Sequence, residues 1–204
     1  MAYTDLATLK AYGAVSSTAD DQILQDVIER ASRDIDGFCG QSFEYAAVAG
    51  EVTSQVWVAS DGWLWVGSRN RCPVTAVSAL ELLDRQAAQP VWQAVDLSRA
   101  VVIIPPPDVP PRQDAWLVRV WIPGFPARPR PRGQLLARWS YTAGFNPTPP
   151  ALRAVATRYA WWLYKLREAP LGRVVTAELG LMEIPLTIPK DIAGDLQPWV
   201  RLPV

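Results

Sequence analysis

Histidine is absent from the 204 residues, and cysteine occurs only twice, at Cys39 and Cys72. The first absence removes the commonest general base and the commonest neutral metal ligand. A zinc site needs about four ligands from Cys, His or carboxylate, and no close-spaced set of them exists. No secretory apolar stretch precedes Asp5, so the two thiols are expected to stay reduced rather than form the one disulfide they allow. No apolar run approaches the ~20 residues that a membrane span requires. Neither sign of charge dominates, with 20 basic and 20 acidic residues, which leaves no global electrostatic case for nucleic acid or membrane as partner. Gly-x-Ser-x-Gly, Gly-x-x-x-x-Gly-Lys and Gly-x-Gly-x-x-Gly are all missing, and with them the signatures of hydrolases and nucleotide enzymes. The chain is expected to be no enzyme and to carry no cofactor.

What is present is apolar surface and an uneven distribution of charge. Half the residues are hydrophobic, enough for a real core. Met1 to Glu44 holds eight acidic residues against three basic, a net −5, while Arg112 to Val204 holds six against thirteen, a net +7. Such polarity suits packing of copies, or two separately solvated faces.

The clearest element is the helix expected from Pro149 to Glu168, with Thr148 as its cap, prolines in its first turn and Ala169-Pro170 as its stop. Leu152, Val155, Ala156, Tyr159, Leu163 and Leu166 form one core-facing stripe. Trp161 points away from that stripe, with Tyr164 between and Lys165 beside it. Either another segment of the same chain covers this aromatic surplus, or a neighbouring subunit does.

Two helices are expected before it. Thr4-Asp5 caps the first, which carries Leu6, Leu9 and Lys10 and stops at Gly13. Thr18-Ala-Asp-Asp21 reads as a capping box for the second, with Ile23, Leu24, Val27, Ile28, Ala31, Ile35 and Phe38 on its apolar side and Cys39-Gly40 at its end. Helix capping accounts for Asp20 and Asp21 without any acid/base role.

From about Glu51 to Tyr141 the period becomes alternating. Residues 52–58 and 63–66 read as a hairpin turning at Asp61-Gly62, and further strands are expected at 74–82, 91–95, 100–104, 115–122 and 133–141. This stretch holds seven of the ten tryptophans, at 57, 63, 65, 92, 116, 121 and 139. They suit packing of a sheet, or a platform for stacking sugars or bases. Pro105 to Pro111 reads as a stiff connector. Pro123 to Arg132 reads as an extended loop whose Arg128, Arg130 and Arg132 suit phosphate contact or plain solvation. Beyond the long helix, 171–187 is expected to be extended or to order on assembly. A short helix then starts at Pro189 with Ile192 and Leu196 on one face, and the apolar end from Trp199 to Val204 is expected to dock, on its own domain or on another chain.

The expected fold class is α+β: a small helical bundle with a β-rich insertion between helices. The segments are 1–47 (N-terminal helices), 48–145 (insertion), 146–170 (long helix) and 171–204 (C-terminal extension).

The order of these elements carries a resemblance. Leu6-x-x-Leu9-Lys10-x-Tyr12, then Thr18 to Ala31 leading to Ile35-Asp36-x-x-Cys39-Gly40-x-x-Phe43, then Cys72-Pro73-Val74-x-x-Val77 and Tyr141-x-x-Gly144-Phe145 before the Pro-started helix, and last Ile188-Pro189-x-Asp191-Ile192-x-x-x-Leu196-x-Pro198-Trp199-x-Arg201, together resemble the head–tail connector (adaptor) family of long-tailed bacteriophages, prophages and gene-transfer particles. The match spans both helical ends well and the middle loosely. The resemblance implies a structural virion protein of the neck, assembled in the host cytoplasm. It implies a ring of about a dozen copies, joining the portal to a head-completion, stopper or tail-completion protein and letting genomic double-stranded DNA pass. On that reading Trp161, Tyr164, Lys165, Asp26 and Arg30 lie at subunit interfaces. Ile184, Leu186, Ile188, Leu196, Trp199, Arg201 and Leu202 dock on the portal, and Arg128, Arg130 and Arg132 face DNA or the next ring. The competing reading is a carbohydrate- or nucleic-acid-binding β module with helical flanks.

Overall fold

Helical periodicity at both ends and strand periodicity in the middle produce, among the described residues, four α-helices and antiparallel sheets. The structure, a computed structural model, describes residues 2–108, 110–111, 115–125, 129–167, 173–176, 180–183 and 188–201. The chain divides into two units, Met1–Gly40 with Pro147–Val200 and Gln41–Asn146 with Arg201–Val204. No helix among the described residues is long and apolar enough to cross a membrane.

In the first unit, α1 (Leu6–Tyr12) is capped by Asp5, whose carboxylate accepts the Thr8 N–H at 2.8 Å. Helix α2 (Asp21–Cys39) buries Leu24, Ile28, Ala31, Ile35 and Cys39 along one stripe and ends where Gly40 turns left-handed at φ 65°. The expected capping box does not form: Asp20 makes no side-chain bond to the helix end. Its carboxylate and that of Asp21 serve other elements. Asp21 receives Lys10 of α1 at 2.7 Å, and Asp20 receives Tyr164 from the long helix at 2.7 Å. A tertiary partner has outcompeted the local amides.

That long helix, α3 (Pro150–Leu166), packs on α1 and α2, with Pro149 rather than Thr148 at its cap position. It buries Leu152, Val155, Ala156, Tyr159, Ala160, Leu163 and Tyr164, while Leu166 is half-buried. Thr4 and Thr157 join hydroxyls at 2.7 Å beside this contact. Helix α4 (Lys190–Leu196) follows Pro189 as expected and leads into a tight 3-10 turn, Gln197–Trp199. A two-stranded ribbon also belongs to this part of the chain: it falls within the stretch expected to be extended and pairs Arg173–Thr176 with Gly180–Glu183 in antiparallel register.

The second unit is two four-stranded antiparallel sheets around one core. Strands β1 (Ala46–Thr53), β4 (Val74–Asp84), β5 (Gln93–Ala94) and β8 (Leu135–Ala143) make the first sheet in the order β1-β8-β4-β5. Strands β2 (Val56–Val58), β3 (Leu64–Gly67), β6 (Val101–Ile103) and β7 (Leu117–Trp121) make the second in the order β2-β3-β7-β6. The ribbon described above supplies β9 and β10.

Alternation sets the core. Leu135, Ala137, Trp139, Tyr141 and Ala143 of β8 point inward with Leu80 and Leu82 of β4, against Val56, Val58, Leu64, Val66, Val118 and Val120 of the second sheet. The hairpin around Asp61-Gly62 forms as expected, with Gly62 at φ 82°. The strand expected over 52–58 is in fact two. Thr53 ends β1 in one sheet, its hydroxyl takes the Gln55 N–H at 3.1 Å, and β2 begins in the other sheet at Val56.

The chain enters and leaves this unit side by side. Phe145 donates its N–H to Phe43 at 3.0 Å, and the two rings lie 6.4 Å apart. Gly144, at φ 96°, sits where a Cβ would lie 2.2 Å from the Glu44 carbonyl oxygen, so the Gly144-Phe145 pair singled out in the sequence is a close backbone crossing. The Cys72–Pro73 peptide is cis.

Candidate interaction surfaces

In the helical unit the aromatic surplus of α3 is covered largely by its own chain. The Trp161 indole rests on Gly13, meets Tyr12 edge-on at 6.4 Å and 76°, and stacks on Tyr164 at 5.3 Å. Lys165 lies over the indole at 5.2 Å and stays exposed. Tyr164, expected at a subunit interface, is 6% exposed. Its hydroxyl is spent on Asp20, to which Arg167 also reaches at 3.4 Å. The Tyr164 bond, followed by Arg167, holds the Asp20 carboxyl below the ordinary carboxylate range. The reason the covering works is local: α1 stops at a residue without a side chain, so the indole can close on its backbone.

Two other expected interface residues are on the wet face of α2. Asp26 accepts from Gln22 at 3.0 Å and is exposed, and Arg30 reaches Asp34 at 3.6 Å with most of its side chain in solvent. Asp34 also receives Tyr159 at 3.0 Å. Burial first, and this carboxylate second, push the Tyr159 phenol well above its ordinary pKa.

The C-terminal residues behave differently from the expectation. Leu196 is fully buried and Trp199 is 3% exposed, so neither side chain stands free on the surface of the single chain. Arg158 fixes α4 to α3 by reaching Asp191 at 2.7 Å and Asp195 at 2.5 Å. Ile188 is half-buried. Arg201 is not a free cation: it lies 3.8 Å above the Trp116 ring and donates to the carbonyls of Ser68 and Arg69. Ile184, Leu186 and Leu202 lie outside the described residues.

Of the three loop arginines, Arg128 also lies outside the described residues. Arg130 bonds Asp84 at 2.5 Å and its backbone pairs with Val58, so its charge is shared with a carboxylate of its own unit. The Gln86 amide, followed by Arg130, in turn lowers the Asp84 pKa. Arg132 remains exposed, with its guanidinium 4.2 Å above Trp57.

That contact opens a row across the outer face of the second sheet. Trp57 pairs with Trp65 and Trp65 with Arg119, and Ile103 stands opposite Arg119 on the far side. The two indoles are parallel, 5.7 Å apart and 4° from coplanar orientation. Arg119 lies 5.0 Å over Trp65 and 4.8 Å over Trp63, and it reaches Asp61 at 3.6 Å.

One end of this face is closed, since Leu117 is 5% exposed among Cys72, Ala115 and Trp116. The other end is open: Trp121, opposite Val101, is 42% exposed, with Val101 at 48% and Ile103 at 42%. Sequence reading named none of these three as interface residues. The signal lay in Leu117-Val-Arg-Val-Trp121, a strand with apolar residues on both faces, which a one-sided sheet does not need.

Cys39 and Cys72 are free and buried, and burial with Asp36 nearby pushes the Cys39 thiol up to about 12. No cluster of three metal-ligating side chains occurs among the described residues.

No family model and no curated sequence matches the chain. Solved structures do. The chain is similar to one in the neck of an empty gene transfer agent particle computed with C6 symmetry, with TM-score 0.57 and 17% identity over 99% of this chain and 91% of that one. It is also similar to one in the virion of a native gene transfer agent particle, with TM-score 0.50 and 16% identity over 99% and 91%. At such identity the likeness is one of fold.

Proposed function

We propose that this chain is a structural component of a virion neck, a head–tail connector whose copies close into a ring between the portal and the next neck or tail-completion protein. The observation that carries the reading is an end-to-end likeness of fold to a neck chain of a gene transfer agent particle, met independently by the ordered motifs at both ends of the sequence. A ring of about a dozen subunits, with DNA passing through it, is what the resemblance implies, with cyclic closure of head-to-tail contacts.

The work done is binding. The four helices form the bundle that stacks around the ring, and the β unit is an insertion carried by it. Exposed Asp26, Arg30 and Lys165, with the half-buried edge of Trp161, supply the lateral contacts. The stretch carrying Ile184, Leu186 and Ile188, together with Leu202, reaches the portal. Leu196 and Trp199 anchor that stretch to its own unit, and Arg201 is held by the β unit. Arg128 and Arg132 face DNA or the next ring.

The binding-module alternative rests on the tryptophans. Trp57 and Trp65 already stack on one another and each lies under a guanidinium, so the faces of this pair are taken by protein groups. Co-sedimentation with purified portal followed by imaging tests the proposal. Closed rings on portal are expected. Absence of rings under all conditions, joined to a glycan or salt-dependent DNA response, would overturn it in favour of the module.

A further inference from the structure

Arg201 is held on the β unit by its side chain. The hydrogen bonds described for it are both made by the guanidinium, which donates to the carbonyl of Arg69 at 2.6 Å and to that of Ser68 at 3.1 Å. The same group lies 3.8 Å above the Trp116 ring, which is 2% exposed with the guanidinium in place.

What lies under the guanidinium is fixed without it. Trp116 packs against Gly67 so closely that a Cβ there would meet its ring at 2.3 Å, and its carbonyl accepts the Ser68 N–H at 3.0 Å. Ser68 is buried, and its hydroxyl donates to the Arg71 carbonyl. Cys72, 1% exposed, belongs to the same apolar cluster as Trp116. The bed is built by contacts within the sheets and loops, and Arg201 adds the layer above it. That layer is costly to seat: burial lowers the Arg201 pKa, the mark of a cation that has given up water. A contact made by one side chain, and offset by lost hydration, opens far more readily than the sheet beneath it.

We propose that Arg201 is a removable cap on Trp116, whose side chain lifts while the sheets of the β unit stay folded, baring the indole and opening a path to Cys72. The open form is a minor state of roughly 0.1–10%, the usual range for a conformer a small step above the main one. The device conceals a tryptophan, a residue type on which binding energy concentrates where proteins meet, until the cap is drawn away. It concerns a single copy and stands apart from the ring reading.

The test is labelling of the full chain with N-ethylmaleimide under native conditions, with mass spectrometry to separate the two thiols. Cys39, fully buried at the end of α2, serves as the reference. Cys72 is expected to react faster than Cys39 in the wild type. Arg201→Ala should raise the Cys72 rate about tenfold and leave the Cys39 rate and the melting temperature unchanged, because labelling of a transiently opened site follows the open population. Loss of the nearby cation would by itself make the thiol less reactive, so a faster rate reads opening. Arg201→Lys, which keeps the charge but not the two-pronged fork, should fall between. A Cys72 rate no faster than that of Cys39 in the wild type, or unchanged in Arg201→Ala, would overturn the inference. So would a joint rise of both rates with a lowered melting temperature, or faster amide exchange in β3 and β7, since Arg201 would then be part of the fold and not a cap on it.

Discussion

Trp161 lies on Gly13 so closely that a Cβ on the glycine would sit 2.2 Å from the indole ring. This contact, between the end of α1 and the middle of α3, is what keeps the aromatic surplus of the long helix out of water. Gly13→Ala should therefore lower stability by about 1–3 kcal/mol, the usual cost of forcing a methyl into a packed site. A denaturant melt measures it. Trp161→Ala in the same chain should remove most of the added cost of the alanine, because the two changes share one contact.

Gly144→Ala should be costlier. The residue combines φ 96° with a Cβ position 2.2 Å from backbone, which no side-chain motion relieves. A loss of about 3–5 kcal/mol is expected, in the range reserved for broken backbone geometry. Thermal unfolding followed by tryptophan fluorescence reads it, and a shift below about 1 °C would contradict a close backbone crossing at this point.

Acid should expose the role of Asp20. Its folded pKa is depressed, so its contribution is present above the ordinary carboxylate value near ~4 and is lost as pH falls through the folded value. The melting-temperature difference between wild type and Asp20→Asn should be clear at about pH 7 and shrink steadily below about pH 4. A difference that stays constant with pH would refute the assignment.

At the other end of the scale, Tyr141 and Tyr159 hold their protons by burial and by donating to Glu51 and Asp34. Both folded pKa values are raised, so the stability they give is complete below the unfolded value near ~10 and is lost as pH climbs beyond it. In an absorbance titration at ~295 nm, these two phenols should ionise only together with unfolding above that pH. Tyr141→Phe or Tyr159→Phe should each remove one such late-titrating group.

Trp199 is 3% exposed, so Trp199→Ala should cost about 3–5 kcal/mol as a cavity. A change that left stability intact and weakened only portal binding would instead restore it to the docking surface.

The parts of this fold legible in the sequence are those set by residues three or four apart. The stripes of α2 and α3, the Pro189 start of α4 and the Asp61-Gly62 turn all declare themselves locally. What stayed hidden depends on distant partners. Asp20 looks like a cap until Tyr164, 144 positions away, takes its carboxylate. Arg130 looks like a solvent cation until Asp84, 46 positions away, neutralises it. The change of sheet at Ser54-Gln55 is invisible because both flanking strands alternate in phase. For the interaction surfaces, the mixed-charge side of α2 was legible as a wet face. The Trp121 end of the sheet was not, because exposure of a strand residue depends on which neighbours stop short of it.

The paired backbones at Phe43 and Phe145 mean that everything between them hangs from a single closed neck of chain. A segment tethered in this way can be lengthened, shortened or exchanged during evolution while the helices on either side keep their registration.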